Sequence, residues 1–165
     1  MMGYLGRIQP LSSRYQSWVE GILFADWEGW VQTVRGQVLD ARALSGFVAL
    51  GQGMRPEGFL LYHIQNHQCQ VVVLDSRVER VGHGTALLNT VRQYAHGQGC
   101  RRLWLITNRE NTTAIRFYQN YGLSIANYHA EGVQLSPRLQ PSVHATGPNG
   151  MRLSREVEMS LVLYP

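Results

Sequence analysis

The chain of 165 residues contains no lysine, only two cysteines and no long apolar run. Its densest apolar run covers residues 71–74, far short of the ~20 residues that cross a bilayer, so no membrane span is predicted. Two cysteines, Cys69 and Cys100, cannot form a disulfide framework. The first ten residues lack the basic-then-apolar layout of an export signal. We therefore expect two free thiols and a cytoplasmic protein.

Positive charge comes from arginine alone: 15 basic against 11 acidic residues give a net charge of +4 and a pI of about 9.4. The arginines are scattered, with Arg101-Arg102 as the longest run, and no aromatic-rich nucleic-acid motif accompanies them. An anionic cofactor or substrate fits the basic balance equally well, and without such a motif we do not expect nucleic acid as a partner. Of the six histidines, His63 and His67 are four residues apart, but on a predicted strand and turn rather than a helix, and the other four show no ligand spacing. No metal site is predicted.

Length and composition predict a single domain over residues 1–165, since 44% of the residues are hydrophobic and one core suffices at this size. Apolar residues at helical spacing predict helices after Ser13, over 87–95 and over 112–121, with Ser13 and Gln16 as a capping box. Alternating and apolar runs predict strands over 3–8, 47–50, 59–64, 69–74, 103–107, 123–128 and 156–163. Residues 26–43 are ambiguous, with a short helix around Trp30. Proline and glycine predict a long loop over 136–150.

This order of elements places antiparallel hairpins before one strand–helix–strand crossover. It predicts an α/β (α+β) fold whose mixed, mostly antiparallel central sheet has about six or seven strands, with helices on both faces.

A glycine-containing loop, Glu79-Arg80-Val81-Gly82-His83-Gly84, joins a predicted buried strand to a predicted helix. Glycine lets the backbone turn sharply and approach a ligand closely. The first N–H groups of the helix have no internal partner and lie at its positive end. Together these features predict an anion cradle suited to a pyrophosphate, to which Arg77 and Arg80 would add charge. A plain strand-to-helix turn is the alternative, and the third glycine of the dinucleotide-binding fingerprint is replaced by Leu87.

A second cluster begins at Asn111, a candidate N-cap, and includes Tyr118 nearly two turns further along the helix. With the loop, it resembles the GCN5-related N-acetyltransferase (GNAT) family. The loop is similar to that family's acetyl-CoA motif, Gln/Arg-x-x-Gly-x-Gly/Ala. The second cluster keeps the spacing of Asn-x-x-Ala-x-x-x-Tyr-x-x-x-Gly-Phe at Asn111, Ala114, Tyr118, Gly122 and Leu123. The best match spans residues 69–123.

The resemblance implies an acyl-CoA N-acyltransferase fold and an acetyl-CoA-dependent N-acetyltransferase. In such enzymes the strand before the loop separates from its neighbour at a bulge, and its backbone pairs with the pantetheine arm. The corresponding residues are Val72, Val73 and Leu74. The pyrophosphate cradle corresponds to Arg80, Val81, Gly82, His83, Gly84 and Thr85.

The resemblance also implies three roles in binding and catalysis. Asn111 would bind the pantetheine arm, and Tyr118 would protonate the departing CoA thiolate as general acid. A backbone N–H near Leu74 would stabilise the oxyanion. The implied partners are acetyl-CoA and an amine acceptor that the sequence does not identify, and a homodimer is left open.

Three positions depart from the family pattern. Glu79 stands where the loop motif usually begins with Gln or Arg. Ile106 replaces a glutamate found in relatives that act on ribosomal-protein N-termini, which argues against that subclass. Gln68 and Gln70 occupy places where many relatives carry a glutamate base. The proton of the amine would then leave through water or one of four side chains: His63, His67, Asp26 and Glu28.

The missing glutamate supports an alternative function. The chain would then be a non-catalytic, acyl-CoA-binding regulatory domain, which Tyr118 argues against.

Overall fold

The computed structural model describes residues 7–27, 29–34, 37–79, 81–129 and 156–164. The helices in these ranges are α1 (Ser13–Asp26), α2 (His83–Gly97) and α3 (Thr112–Tyr121). The strands are β1 (Arg7–Pro10), β2 (Val31–Val34), β3 (Gln37–Asp40), β4 (Ser45–Leu50), β5 (Pro56–Gln65), β6 (Gln68–Ser76), β7 (Arg102–Asn108), β8 (Ser124–His129) and β9 (Glu156–Val162).

Seven strands form one sheet in the order β1-β4-β5-β6-β7-β9-β8. The neighbours β6 and β7 are parallel and are joined by the crossover helix α2. The other neighbouring pairs are antiparallel. The predicted mixed, mostly antiparallel sheet is thus confirmed.

The alternation of side chains along β5 shows which helix covers which face. Leu60 belongs to the core cluster that contains the buried side of α2, whereas Phe59 and Leu61 pack with Val19 and Leu23 of α1. Because successive side chains of a strand point to opposite faces, α1 and α2 cover opposite faces of the sheet. We call these the α1 face and the α2 face. Helix α3 packs on the α2 face, and the prediction of helices on both faces is confirmed.

Helix α1 buries the predicted stripe, but its start differs from the prediction. Ser13 is the first helical residue, and the N-cap is Ser12, which makes no side-chain cap hydrogen bond. Gln16 donates to the Glu20 carboxylate at 3.3 Å instead of closing a capping box. The helix therefore depends on the burial of Tyr15 and its apolar neighbours rather than on a cap.

The segment after α1 is a hairpin, so the short helix predicted around Trp30 is wrong. Strands β2 and β3 pair antiparallel along their whole length, as the β-branched residues of Val31–Val34 favour. The Trp30 indole N–H donates to the Glu20 carbonyl of α1 at 3.1 Å, which holds the segment against the helix.

The remaining predicted elements are present with shifted ends. The strand predicted over 3–8 appears as β1, which runs on to Pro10, while residues 1–6 lie outside the described part. The loop predicted over 136–150 also lies outside it.

None of the helices in the described ranges is long and apolar enough to cross a bilayer.

The two cysteines are free and buried in the α2-face core. Burial raises the pKa of the Cys69 thiol to about 12 and also raises the pKa of the Cys100 thiol. Because the thiolate is the reactive form, we expect neither thiol to react with the disulfide reagent DTNB at about pH 8 in the folded protein. Both should titrate once denaturant unfolds the chain. One equivalent of fast reaction without denaturant would contradict this expectation.

Candidate active site

Strands β6 and β7 are paired at one end only. Their parallel register ends at the pair Val71–Leu105, although both strands continue beyond it, to Ser76 and Asn108. Past that pair, the edge of β6 that faces β7 has no partner among the described strands. Backbone groups along such an edge can pair with an extended ligand.

A bulge at Val72 accompanies the separation. On the β5 side, Tyr62 pairs with Val71 and Leu61 with Val73, so Val72 has no partner in β5. A bulge bends its strand and increases its twist, which accounts for the divergence of β6 from β7. Val72, Val73 and Leu74, the residues expected to pair with pantetheine, lie immediately beyond the last β6–β7 pair.

The loop after β6 leads into the first turn of α2. Gly82 is the N-cap and has a φ of 81°, a left-handed value that other residues adopt only with strain. The Ala86 N–H donates to the Gly82 carbonyl at 3.0 Å, so the N–H groups of His83, Gly84 and Thr85 precede the first helical bond. No acidic side chain lies in this turn. The positive end of the helix is therefore suited to an anion.

Of the two arginines expected near this turn, Arg77 is held by carboxylates of the protein itself. Arg80 lies outside the described residues. The Arg77 guanidinium contacts Asp26 at 2.7 Å and Asp75 at 2.7 Å, and the Trp27 indole N–H donates to Asp75 at 2.8 Å. Arg77 thus ties the end of α1 to the end of β6, and the sequence alone did not indicate either carboxylate as its partner.

The His83 side chain points into the protein, although His83 was expected at the cofactor. It is buried, and its Nε2 lies 2.7 Å from a carboxylate oxygen of Glu57 in β5. Only its backbone N–H is left to face an anion. The side chain anchors the first turn of α2 to the sheet.

We expect Glu57→Ala to lower the free energy of unfolding by about 1–3 kcal/mol, because it leaves a buried imidazole nitrogen without its partner. Glu57→Gln keeps a hydrogen-bonding oxygen and is the matched control, with a smaller expected loss. Urea unfolding near neutral pH measures both variants. Equal losses would mean that the hydrogen bond is not what stabilises the turn.

Gly84 brings the two sequence motifs together. A Cβ at Gly84 would lie 3.1 Å from the Phe117 ring of α3, and the φ of Gly84 is not among the positive values. The structure thus gives this glycine a packing reason, and its close approach to a phosphate stays a prediction. Its missing side chain lets α3 lie against the first turn of α2.

Phe117 contacts the candidate acid Tyr118, with ring centroids 5.3 Å apart in an edge-on arrangement. Burial raises the pKa of Tyr118 to about 12, so its phenol keeps its proton at neutral pH. Asn111 is the N-cap of α3, and its Oδ1 accepts from the Ala114 N–H at 3.2 Å. That contact leaves the amide NH₂ of Asn111 for a ligand.

The four candidate proton acceptors lie in different surroundings. Asp26 is paired with Arg77, and Glu28 is outside the described residues. His67 lies in the β5–β6 turn with a φ of 58° and is exposed. His63 lines a small cavity together with Gln70.

This cavity, of about 120 Å³, opens on the α1 face beside the paired part of β6 and β7. Its wall contains Trp104, His63 and five amide side chains: Gln37, Gln65, Asn66, Gln68 and Gln70. Gln70 is only 2% exposed, and its Nε2 has no hydrogen-bond partner. A buried donor without a partner costs about 1–3 kcal/mol, which makes Gln70 a candidate for contact with a ligand. The sequence indicates Gln70 only as a neutral residue at a place where many relatives carry a glutamate.

A polar network borders the cavity. Arg102 donates to Gln68 Oε1 at 3.2 Å and also to the buried carboxylate of Glu158. His129 Nε2 lies 2.9 Å from the other oxygen of Glu158. The sequence offered no signal for this group, because it is assembled from β7, β8 and β9.

Among the described residues, no three His, Cys, Asp or Glu side chains are arranged to hold a metal ion.

Comparisons with known proteins agree with this geometry. Residues 12–123 match the model of the acetyltransferase (GNAT) family. The Bacillus subtilis protein YdhI is 35% identical over 120 residues, which are 73% of this chain and 75% of that protein. A Bacillus subtilis acetyltransferase in complex with CoA has the same fold, with a TM-score of 0.70 at 16% identity over 96% of this chain and 99% of that one.

A GNAT family acetyltransferase from Elizabethkingia anophelis with acetyl-CoA bound also has a TM-score of 0.70, at 14% identity over 96% of this chain and 99% of that chain. At this low identity, the two structures show that the fold is shared. The family model and YdhI show that the sequence itself is related to the family. The chain thus belongs to the GNAT family of acetyltransferases.

Proposed function

We propose that the chain transfers the acetyl group of acetyl-CoA to a primary amine by direct attack. The observation that carries this proposal is the separation of β6 from β7 at Val72, in the strand whose following loop leads into α2. The open strand edge suits the amide groups of a pantetheine arm. The unpaired N–H groups of the first turn suit a pyrophosphate.

In the proposed reaction, a backbone N–H of β6 and the Tyr118 side chain of α3 each have one role. The neutral amine nitrogen attacks the thioester carbonyl carbon, and a backbone N–H near Leu74 stabilises the charge that develops on the carbonyl oxygen. As the carbon–sulfur bond breaks, Tyr118 gives its phenolic proton to the CoA thiolate. The surplus proton of the amine leaves through His63 or water, and solvent restores the phenol.

A thiol-release screen tests the proposal. Acetyl-CoA is incubated with polyamines, amino acids, aminoglycosides and short peptides, and the acetylated amine is identified by mass spectrometry. We expect free CoA to appear in proportion to one class of acceptor. The buried cysteines of the protein should not contribute to the thiol signal.

The alternative, an acyl-CoA-binding regulatory domain, is favoured by one observation. Gln68 and Gln70 are neutral where many relatives carry a glutamate. Calorimetric binding of acetyl-CoA without turnover of any acceptor would support this alternative over the enzyme.

A further inference from the structure

We propose that the cavity on the α1 face selects an acceptor amine whose far end is uncharged and accepts hydrogen bonds, as an amide or a hydroxyl does. This inference rests on the proposed function, because it concerns the acceptor of that reaction. It names the chemistry of the acceptor and the residue, Gln70, that recognises it.

The position of the cavity separates it from the cofactor side. The first turn of α2 and the packing of α3 both lie on the α2 face, whereas the cavity lies on the opposite face. Gln70 is two residues before the bulge at Val72, where β6 and β7 part. A molecule in the cavity can therefore present its amine at the gap between the strands, opposite the cofactor.

The Gln70 amide is the strongest sign of a ligand. It is 2% exposed, it lines the cavity, and its Nε2 has no partner. A carbonyl or hydroxyl oxygen of the acceptor would receive that N–H. The neighbouring Gln68 amide is already oriented, because its Oε1 accepts from Arg102 at 3.2 Å, so its NH₂ is directed away from that contact.

The charge of the cavity argues for a neutral group. The described lining consists of amides, Trp104 and His63, without a carboxylate, lysine or arginine. Arg102, which contacts the lining residue Gln68, is itself paired with Glu158. An ammonium or carboxylate placed against the buried Gln70 amide would lose hydration without gaining an opposite charge, which costs more than burying a hydrogen-bonded neutral group. The Trp104 ring offers an apolar wall for the methylene chain between the two ends.

Four amines of equal length test this inference: 4-aminobutyramide, 4-aminobutanol, putrescine and 4-aminobutyrate. Each carries a primary amine at one end, and they differ in whether the far end is an amide, a hydroxyl, an ammonium or a carboxylate; rates for putrescine are halved because either of its ends can react. Steady-state kcat and KM are measured for each and corrected for the pKa of the amine. We expect kcat/KM for the amide or the alcohol to exceed that of both charged compounds at least tenfold, or about 1.4 kcal/mol. Comparing kcat/KM for 4-aminobutyramide with that for 4-aminobutanol shows which neutral group is preferred.

Three variants assign the preference to Gln70. Gln70→Leu keeps the volume and should raise KM for the preferred neutral amine at least tenfold, with KM for acetyl-CoA and for putrescine unchanged. Gln70→Glu should reverse the preference in favour of putrescine. Gln98→Leu, an exposed site at the end of α2, is the matched control and should change none of these constants.

Two kinetic outcomes would overturn the inference: a wild-type preference for a charged amine, or a Gln70→Leu variant that keeps the preference for the neutral one. If no amine is turned over, saturation-transfer NMR with the CoA-loaded protein separates this inference from the proposed function. Binding of the neutral amines that Gln70→Leu abolishes would support the cavity while the transferase proposal fails. Absence of such binding, or its persistence in Gln70→Leu, would overturn the inference.

Discussion

Tyr118→Phe should lower kcat by roughly ten- to a thousandfold, or about 1.4–4 kcal/mol of barrier, and leave the Kd for acetyl-CoA within a few fold. The change deletes one hydroxyl and keeps the ring that packs against Phe117, so the helix should remain in place. A positioned acid typically contributes 10²–10⁴-fold. The CoA thiolate is a fairly good leaving group, so the expected loss is set about tenfold below that range. Steady-state kinetics with a good acceptor and calorimetry with acetyl-CoA provide the two measurements.

Tyr121→Phe is the matched control for this variant. It removes a hydroxyl from the same helix, one that donates to Asn89 at 2.8 Å, and should leave kcat unchanged. If Tyr118→Phe also turns over at the wild-type rate, Tyr118 serves packing alone and the proton for the thiolate comes from water.

The raised pKa of Tyr118 has a consequence for pH. The phenol ionises near 10 in an unfolded chain and near 12 in the folded protein, so the folded state binds this proton more tightly. The stability that Tyr118 contributes is therefore present below pH 10 and is lost as the pH rises from about 10 to about 12. For the same reason, kcat should show no decline from ionisation of Tyr118 between pH 7 and about 10.

Gly82→Val should weaken acetyl-CoA binding at least tenfold, or about 1.4 kcal/mol. A Cβ at Gly82 would meet nothing within 4 Å, but the φ of +81° is one that a β-branched residue adopts only with strain. The loop should relax to another conformation, and the N–H groups of the first turn of α2 would no longer converge on one anion. Calorimetric titration with acetyl-CoA measures the loss.

Gly99→Val provides a close control at the other end of α2. Gly99 has the same φ of +81° and the same open surroundings, so it should lose comparable stability in thermal unfolding while its acetyl-CoA affinity stays at the wild-type value. Equal affinity losses in both variants would attribute the effect to general destabilisation. Unchanged affinity in a folded Gly82→Val protein would remove the anion-cradle hypothesis.

Local patterns in the sequence were sufficient to predict the helices and the loop that carry the two motifs. The apolar stripe of α2, the N-cap at Asn111 and the glycine-containing loop before α2 depend on residues within one or two helical turns of each other, and periodicity and capping rules operate over that range. For the same reason the crossover between β6 and β7 followed from element order, whereas the position of β9 between β7 and β8 did not. The family resemblance covered these same local segments.

Tertiary structure alone decided which distant side chains meet. Sequence spacing did not indicate that His83 would turn inward to Glu57, that Gly84 would accommodate Phe117, or that Arg77 would be held by two carboxylates. Each of these contacts joins residues from different elements, and whether they meet depends on how helices pack on a particular face of the sheet. The cavity around Gln70 is the clearest case. Its amides come from β3, β5, β6 and the turn between the last two, and only the pairing and twist of those strands bring them to one place on the α1 face.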